Sequence, residues 1–184
     1  MKKLSLLAFI TLFLTGCAEG EVTKLEVEMF NDVGDSLGTI ELQEQSKGVK
    51  LSLNLKGLTP GIHGIHIHET NKCDAPDFQS AGNHFNPDNK EHGLLHPEGA
   101  HAGDLPNILV KEDGTVKAEL MAPQVTLRDG KTSLFTKDGT SIVITEQQDD
   151  GMTQPAGDSG ERIACGAIKK KQFLVKKKDR RLLS

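Results

Sequence analysis

The sequence predicts an all-β fold, a sandwich or barrel, and three observations carry that prediction. Short runs of alternating apolar and polar residues recur along the chain, the period-two signature of half-buried strands. Turn residues separate these runs: 19 Gly and 7 Pro suit a turn-rich fold better than a helical bundle. No stretch makes a convincing helix, and strands at short intervals without helices mean two packed sheets or one closed sheet. At 184 residues the chain is long enough for one domain with a short leader. Such a domain buries a core without needing metal to fold. With no Trp, no Tyr and 7 Phe, that core is expected to be aliphatic. A net charge of -4 argues against a nucleic-acid partner.

The leader comes first. Lys2 and Lys3 precede the apolar run Leu4 to Leu14, followed by Thr15, Gly16 and Cys17. A positive start, an apolar middle and small residues before a cut read as a signal peptide over residues 1–16. The run is too short to span a bilayer. A Cys directly after a small-residue pair resembles the bacterial lipobox. That resemblance implies cleavage before Cys17, a diacylglyceryl group on its sulfur, and a domain tethered to the outer side of the cytoplasmic membrane through residues 17–23. An ordinary signal peptide with an incidental Cys17 is the plainer alternative.

The domain proper is expected over residues 24–168. Leu25, Val27 and Met29 alternate with charged residues and predict a strand. NDVGD, residues 31–35, is a turn, and residues 37–42 are a second strand. Val49, Leu51, Leu53 and Leu55 alternate strictly and predict a third. Gly57 to Gly61 turns the chain into a strand from Ile62 to His68. Residues 69–105 show no periodicity, and a loop that long in a compact domain implies function. Strands resume at Asn107 to Val110 and Val116 to Leu120, with a weak one at Leu134 to Phe135 and another at Ser141 to Thr145. A second Gly- and Asp-rich loop, residues 147–161, precedes a last strand from Arg162 to Ile168. Residues 169–184 form a basic tail, expected to be a solvated, disordered terminus. Attraction to an anionic lipid or wall polymer is its alternative role.

All 7 His fall between Gly61 and Asp104, and neutral imidazole is the commonest metal ligand. His66 and His68 are two apart, so on a strand they leave the same face. His63 shares the other face with Ile65 and Ile67 and is expected to be a buried structural imidazole. His84, His92, His101 and Asp104 offer three nitrogens and a carboxylate, which suits a closed tetrahedral zinc site with no open position. Two exposed polar residues, or a loop that happens to be rich in His, are the plain alternatives. With Cys17 assigned to lipid, an exported domain is left with Cys73 and Cys165, which suggests one disulfide. It would close a loop of roughly ninety residues and contribute about 4–5 kcal/mol in the chain-entropy picture. Two free thiols are the alternative.

GIHGIHIHE, SAGNHFNP, EHG, HAGDLPN and ERIACGAI are long, specific motifs, and they resemble the copper/zinc superoxide dismutase family from about Val22 to Ile168. The resemblance implies a Greek-key β-barrel of about eight antiparallel strands with two long functional loops. It implies dismutation of superoxide to oxygen and hydrogen peroxide, with Zn2+ and Cu2+/Cu+ as cofactors. By residue, it makes His66, His68 and His84 copper ligands, with His84 also bridging to zinc. His92, His101 and Asp104 complete the zinc set. It pairs Cys73 with Cys165. It gives Arg162 the guidance of the superoxide anion, and Asp149 the carboxylate that links ligands of the two metals. His84 and Arg162 are then the catalytic pair.

There is one departure. The family's fourth copper ligand is a His, and the segment Gly139 to Glu146 places Thr145 there. A protonated hydroxyl is a poor ligand for either copper state. His96 is left unassigned. Two functions follow: a dismutase with weakened copper binding, or a zinc-stabilised extracellular protein that binds or transfers copper without dismutation. Some family members pair through barrel faces, so a homodimer is one expected assembly, although no strip of this sequence marks the face.

Overall fold

Alternating apolar residues become strands here wherever a turn lets them pair. The computed structural model describes residues 23–170. The expected signal peptide 1–16, the lipid-attachment residue Cys17, its tether as far as residue 22 and the basic tail from residue 171 lie outside the described residues. Strands β1 (Lys24–Asn31), β2 (Ser36–Gln45) and β3 (Gly48–Lys56) form an antiparallel meander. The first turn is tied by Asn31, whose Oδ1 accepts the N–H groups of Val33 and Asp35 at 3.2 and 2.7 Å. Short strands β4 (Gly61–His63) and β5 (Ile65–His68) follow, then β6 (Ile108–Val110), β7 (Thr115–Ala122), β8 (Thr140–Thr145) and β9 (Arg162–Ile168).

Seven strands make one antiparallel sheet in the order β5-β8-β9-β1-β2-β3-β7, and β4 pairs with β6 in a second. β4 runs on into β5 and β6 leads into β7, so the small sheet lies across the seam between the two edge strands of the large one. The chain has the all-β fold that its strand pattern predicts, in the Greek-key barrel form that the resemblance implies. The core is aliphatic as expected: Leu25, Val27, Met29, Ile40, Leu42, Leu51, Ile65, Ile67, Ile142 and Ile144 are all buried. A second, smaller apolar cluster of Phe78, Ala81, Val143 and Cys165 sits beneath the long loop.

Two expectations need correction. The strand foreseen from Ile62 to His68 is broken at Gly64 into β4 and β5, which pair in different sheets. This break adds a ninth strand to the eight or so expected. A Cβ at Gly64 would stand 2.5 Å from Thr145 Oγ1 and 3.1 Å from His66 Cε1, so the chain approaches β8 too closely there for a side chain. Leu134 and Phe135 form no strand. The Leu134 N–H bonds to Thr126 O at 2.9 Å, and Leu134 fills the core as a plug. Two apolar residues inside a turn-rich segment do not make a ladder.

Candidate metal centre

The site begins with β5, which is buried on both faces. Ile65 and Ile67 enter the core, as their alternation predicts. His66 and His68 face the other way but are covered too, at 0% and 2% exposure. The cover is the loop that shows no periodicity in sequence. It docks along β5 through main-chain bonds, Ile67 N–H to Gly103 O at 2.9 Å and Phe85 N–H to Ile67 O at 2.8 Å. A Cβ on Gly103 would lie 2.2 Å from Ile67 O, so this docking needs glycine. The Cys73–Cys165 disulfide ties the start of the same loop to β9, as the sequence leads one to expect.

His84, His92, His101 and Asp104 come together, all buried. Asp104 Oδ1 lies 2.9, 3.2 and 3.3 Å from the Nδ1 atoms of His84, His92 and His101. An ion with tetrahedral bonds of about 2.0–2.2 Å keeps its ligand atoms about 3.3–3.6 Å apart, so the four atoms stand close to the spacing zinc needs. The other carboxylate oxygen, Oδ2, accepts the N–H groups of Gly93 and His101 at 2.9 Å each, which fixes the carboxylate. Burial alone would raise the Asp104 pKa, but the imidazoles of His101, His84 and His92 and the Gly93 N–H override it and hold the group far below the usual carboxylate range.

His66, His68 and His84 form the second group. His84 belongs to both: its Nδ1 faces Asp104, and Nε2 is left for the other side. His66 Nδ1 and His68 Nε2 are buried without a hydrogen-bond partner. An orphaned imidazole nitrogen in a dry site is costly, and two of them beside a third ring fit a metal that takes nitrogen ligands. Burial and the neighbouring His84 push the His68 pKa well below its ordinary value, and burial brings His84 to about 4. Both therefore stay neutral with a lone pair available. His92 is raised to about 9: burial works against protonation there, but the carboxylates of Asp104 and Asp149 outweigh it.

Asp149 joins the halves. Its Oδ2 lies 2.7 Å from His66 Nε2 and its Oδ1 lies 3.1 Å from His92 Nε2. Arg162 donates to the carbonyls of Phe78 and Gly82, both at 2.8 Å. The Gly82 carbonyl also lies 3.0 Å from His68 Nδ1, so one main-chain oxygen sets both the ring and the guanidinium. Burial lowers the Arg162 pKa while the Asp77 carboxylate nearby raises it.

Thr145 is not part of either candidate metal group. It stands at a register shift in the β8–β9 pairing, and its hydroxyl donates to Gln147 O at 3.2 Å. His63 is buried, with its ring nitrogens 2.8 Å from the carbonyls of Thr145 and Thr59, the structural post its register predicts. His96 joins neither group. Three further residues hold the site and carry no sequence signal. Asn107 brackets the Asp149 backbone at 2.8 and 2.9 Å. Gln154 brackets the His92 backbone with two bonds of 2.9 Å. At Gly157 a Cβ would sit 1.9 Å from Asp149 Oδ1.

Residues 36–168 match the family model described as copper/zinc superoxide dismutase. The copper–zinc superoxide dismutase 2 of Aquifex aeolicus is 46% identical over 171 residues, covering 92% of this chain and 100% of that one. A superoxide dismutase-like protein of Bacillus subtilis is 45% identical over 145 residues, covering 77% of this chain and 74% of that one. A crystal structure of a superoxide dismutase-like protein from Bacillus subtilis superposes with a TM-score of 0.76 at 43% identity, covering 78% of this chain and 97% of that one.

Proposed function

Since this chain belongs to the copper/zinc superoxide dismutase family, we propose that it is an exported, lipid-anchored metalloprotein in which a complete zinc site supports a copper site of three imidazoles. Its reaction is the conversion of two superoxide anions and two protons to oxygen and hydrogen peroxide, slowed by the missing fourth ligand. The observation that carries this reading is the pair of orphaned nitrogens, His66 Nδ1 and His68 Nε2, beside His84. Copper held there would supply the one-electron exchange that dismutation requires. Asp149 orients His66, and the Gly82 carbonyl orients His68. Asp104 keeps His84 Nδ1 on the zinc side, so His84 Nε2 is the ring atom placed to pass a proton to departing peroxide. The Arg162 guanidinium, fixed by two carbonyls, presents positive charge to the substrate.

A second reading, copper binding or transfer without dismutation, is favoured by the Thr145 hydroxyl bonded to Gln147 O. Three imidazoles without a fourth donor suit Cu(I) better than Cu(II), which prefers four-coordinate tetragonal sites. Loading the purified protein with both metals separates the readings. Copper near one per chain with measurable superoxide consumption, increased at least tenfold by Thr145→His, supports the slowed dismutase. Retained copper without any consumption supports the second reading. Full-speed consumption that Thr145→His leaves unchanged overturns the role given to the missing ligand.

A further inference from the structure

A channel of about 530 Å3 leads from solvent to His68, His84 and Thr145. Its charged walls, imidazoles aside, are Glu69, Glu161 and Arg162. Two carboxylates thus face one guanidinium, a balance of -1. Arg162 is itself partly offset by Asp77 from the side away from the channel. Both Glu69 and Glu161 are exposed and face water at the mouth. The chain's net charge of -4 includes the basic residues after 170, so the body of the fold is more acidic still. Among the residues that line the channel is His68, 2% exposed, with Nε2 unpartnered. A mouth of this polarity slows a small anion and concentrates a small cation. The floor it leads to offers nitrogen lone pairs and withholds the Thr145 hydroxyl.

We propose that the channel is a cation-entry route, through which the three-imidazole group takes up and releases copper ions as cargo. The inference rests on the copper-binding-and-transfer reading and adds the direction of its electrostatics. Glu69 and Glu161 draw the ion into the channel, and His68 and His84, which both line it, are the nitrogens of the three-imidazole group that it reaches. The Thr145 hydroxyl, tied to Gln147 O, leaves the ion three protein bonds to break on release.

The test is the rate of copper uptake by the full zinc-loaded protein. Aqueous copper(II) is mixed in by stopped flow, its appearance on the protein is read by d–d absorption, and bound copper is counted afterwards by mass spectrometry. Uptake should slow about two- to fivefold between 10 and 200 mM salt, because exposed charges are screened beyond a Debye length of about 8–10 Å. Glu161→Lys should slow it about three- to tenfold at low salt, and Glu161→Gln by a smaller factor in the same direction. Uptake that is unchanged or faster in salt, or faster in Glu161→Lys, overturns the cation-entry route while leaving copper binding intact. Absence of bound copper at every salt concentration, with copper(I) supplied under reductant as well as with copper(II), overturns the underlying reading, and the route falls with it.

Discussion

Replacing Asp149 with asparagine should weaken the copper side more than the zinc side, although the carboxylate touches both. Oδ1 receives two donors, Gly151 N–H at 2.6 Å and the His92 ring at 3.1 Å, whereas Oδ2 receives only His66 Nε2 at 2.7 Å. The single carbonyl oxygen of an asparagine therefore takes the Oδ1 place, and its NH2 group faces His66. That group donates, so His66 Nε2 must become the acceptor and its proton must move to Nδ1. Nδ1 is the nitrogen otherwise free for metal. Losing the correct tautomer should cost copper affinity about 10–100-fold, the usual effect of removing an outer carboxylate, or about 1.4–2.7 kcal/mol. On the zinc side a charge-assisted bond becomes a neutral one, about 1 kcal/mol or about fivefold. Competition with chelators of known affinity, run separately for each metal, measures both losses. A larger loss of zinc than of copper affinity refutes the tautomer argument, and no loss of either refutes the orienting role of Asp149.

Three more outcomes are expected. Cys73→Ser should lower stability to urea by about 4–5 kcal/mol by freeing the loop in the unfolded chain; a loss below about 1 kcal/mol would show that loop docking alone suffices. Gly157→Ala forces a side chain into a backbone at φ 69° and against Asp149; it should cost about 2–4 kcal/mol and release zinc at lower chelator concentrations. The metal-free protein should lose stability as pH falls from about 6.5 towards 4. His68 is held below its ordinary value and His84 at about 4, so the unfolded chain binds these protons first. Unfolding free energies from urea titrations at pH 7 and pH 5 should differ by about 2 kcal/mol from His84 alone, with His68 adding in the same direction, and zinc and copper should suppress the difference. His92, raised to about 9, acts oppositely: its contribution is complete below 6.5 and is lost only as pH rises through 9.

The legible parts of this molecule are those that repeat or that carry chemistry in the side chain. Val49, Leu51, Leu53 and Leu55 announce β3 because alternate side chains must enter the core. The candidate ligands announce themselves because few residue types bind metal. The break at Gly64 is not legible, since the close approach of β8 that causes it comes from sequence eighty residues away. Asn107 and Gln154 are hidden for a similar reason: each secures its partner through the main chain, at Asp149 and His92, and a main-chain acceptor leaves no mark in sequence. The burial of the face of β5 that carries His66 and His68 is likewise invisible in the strand, because the covering comes from an aperiodic loop.

The two halves of the centre depend on the fold in different ways, and this explains how Thr145 can stand where a ligand is expected. The four residues of the proposed zinc group lie within 21 residues of one loop and hold one another: Asp104 accepts from the backbone of Gly93 and His101 while it faces three imidazoles. The copper side draws its expected fourth ligand from β8, the strand that pairs with β5 but lies far from it in sequence. There the main chain still serves: Thr145 N–H bonds to Gly64 O at 3.0 Å, and Thr145 O meets His63 at 2.8 Å. The side chain at 145 is thus free to change while the backbone that shapes the site is held from both sides. On the proposed reading, exchanging imidazole for hydroxyl there would remove metal affinity from one half only, and would leave the His84, His92, His101 and Asp104 group, the disulfide and the barrel with the contacts that stabilise them.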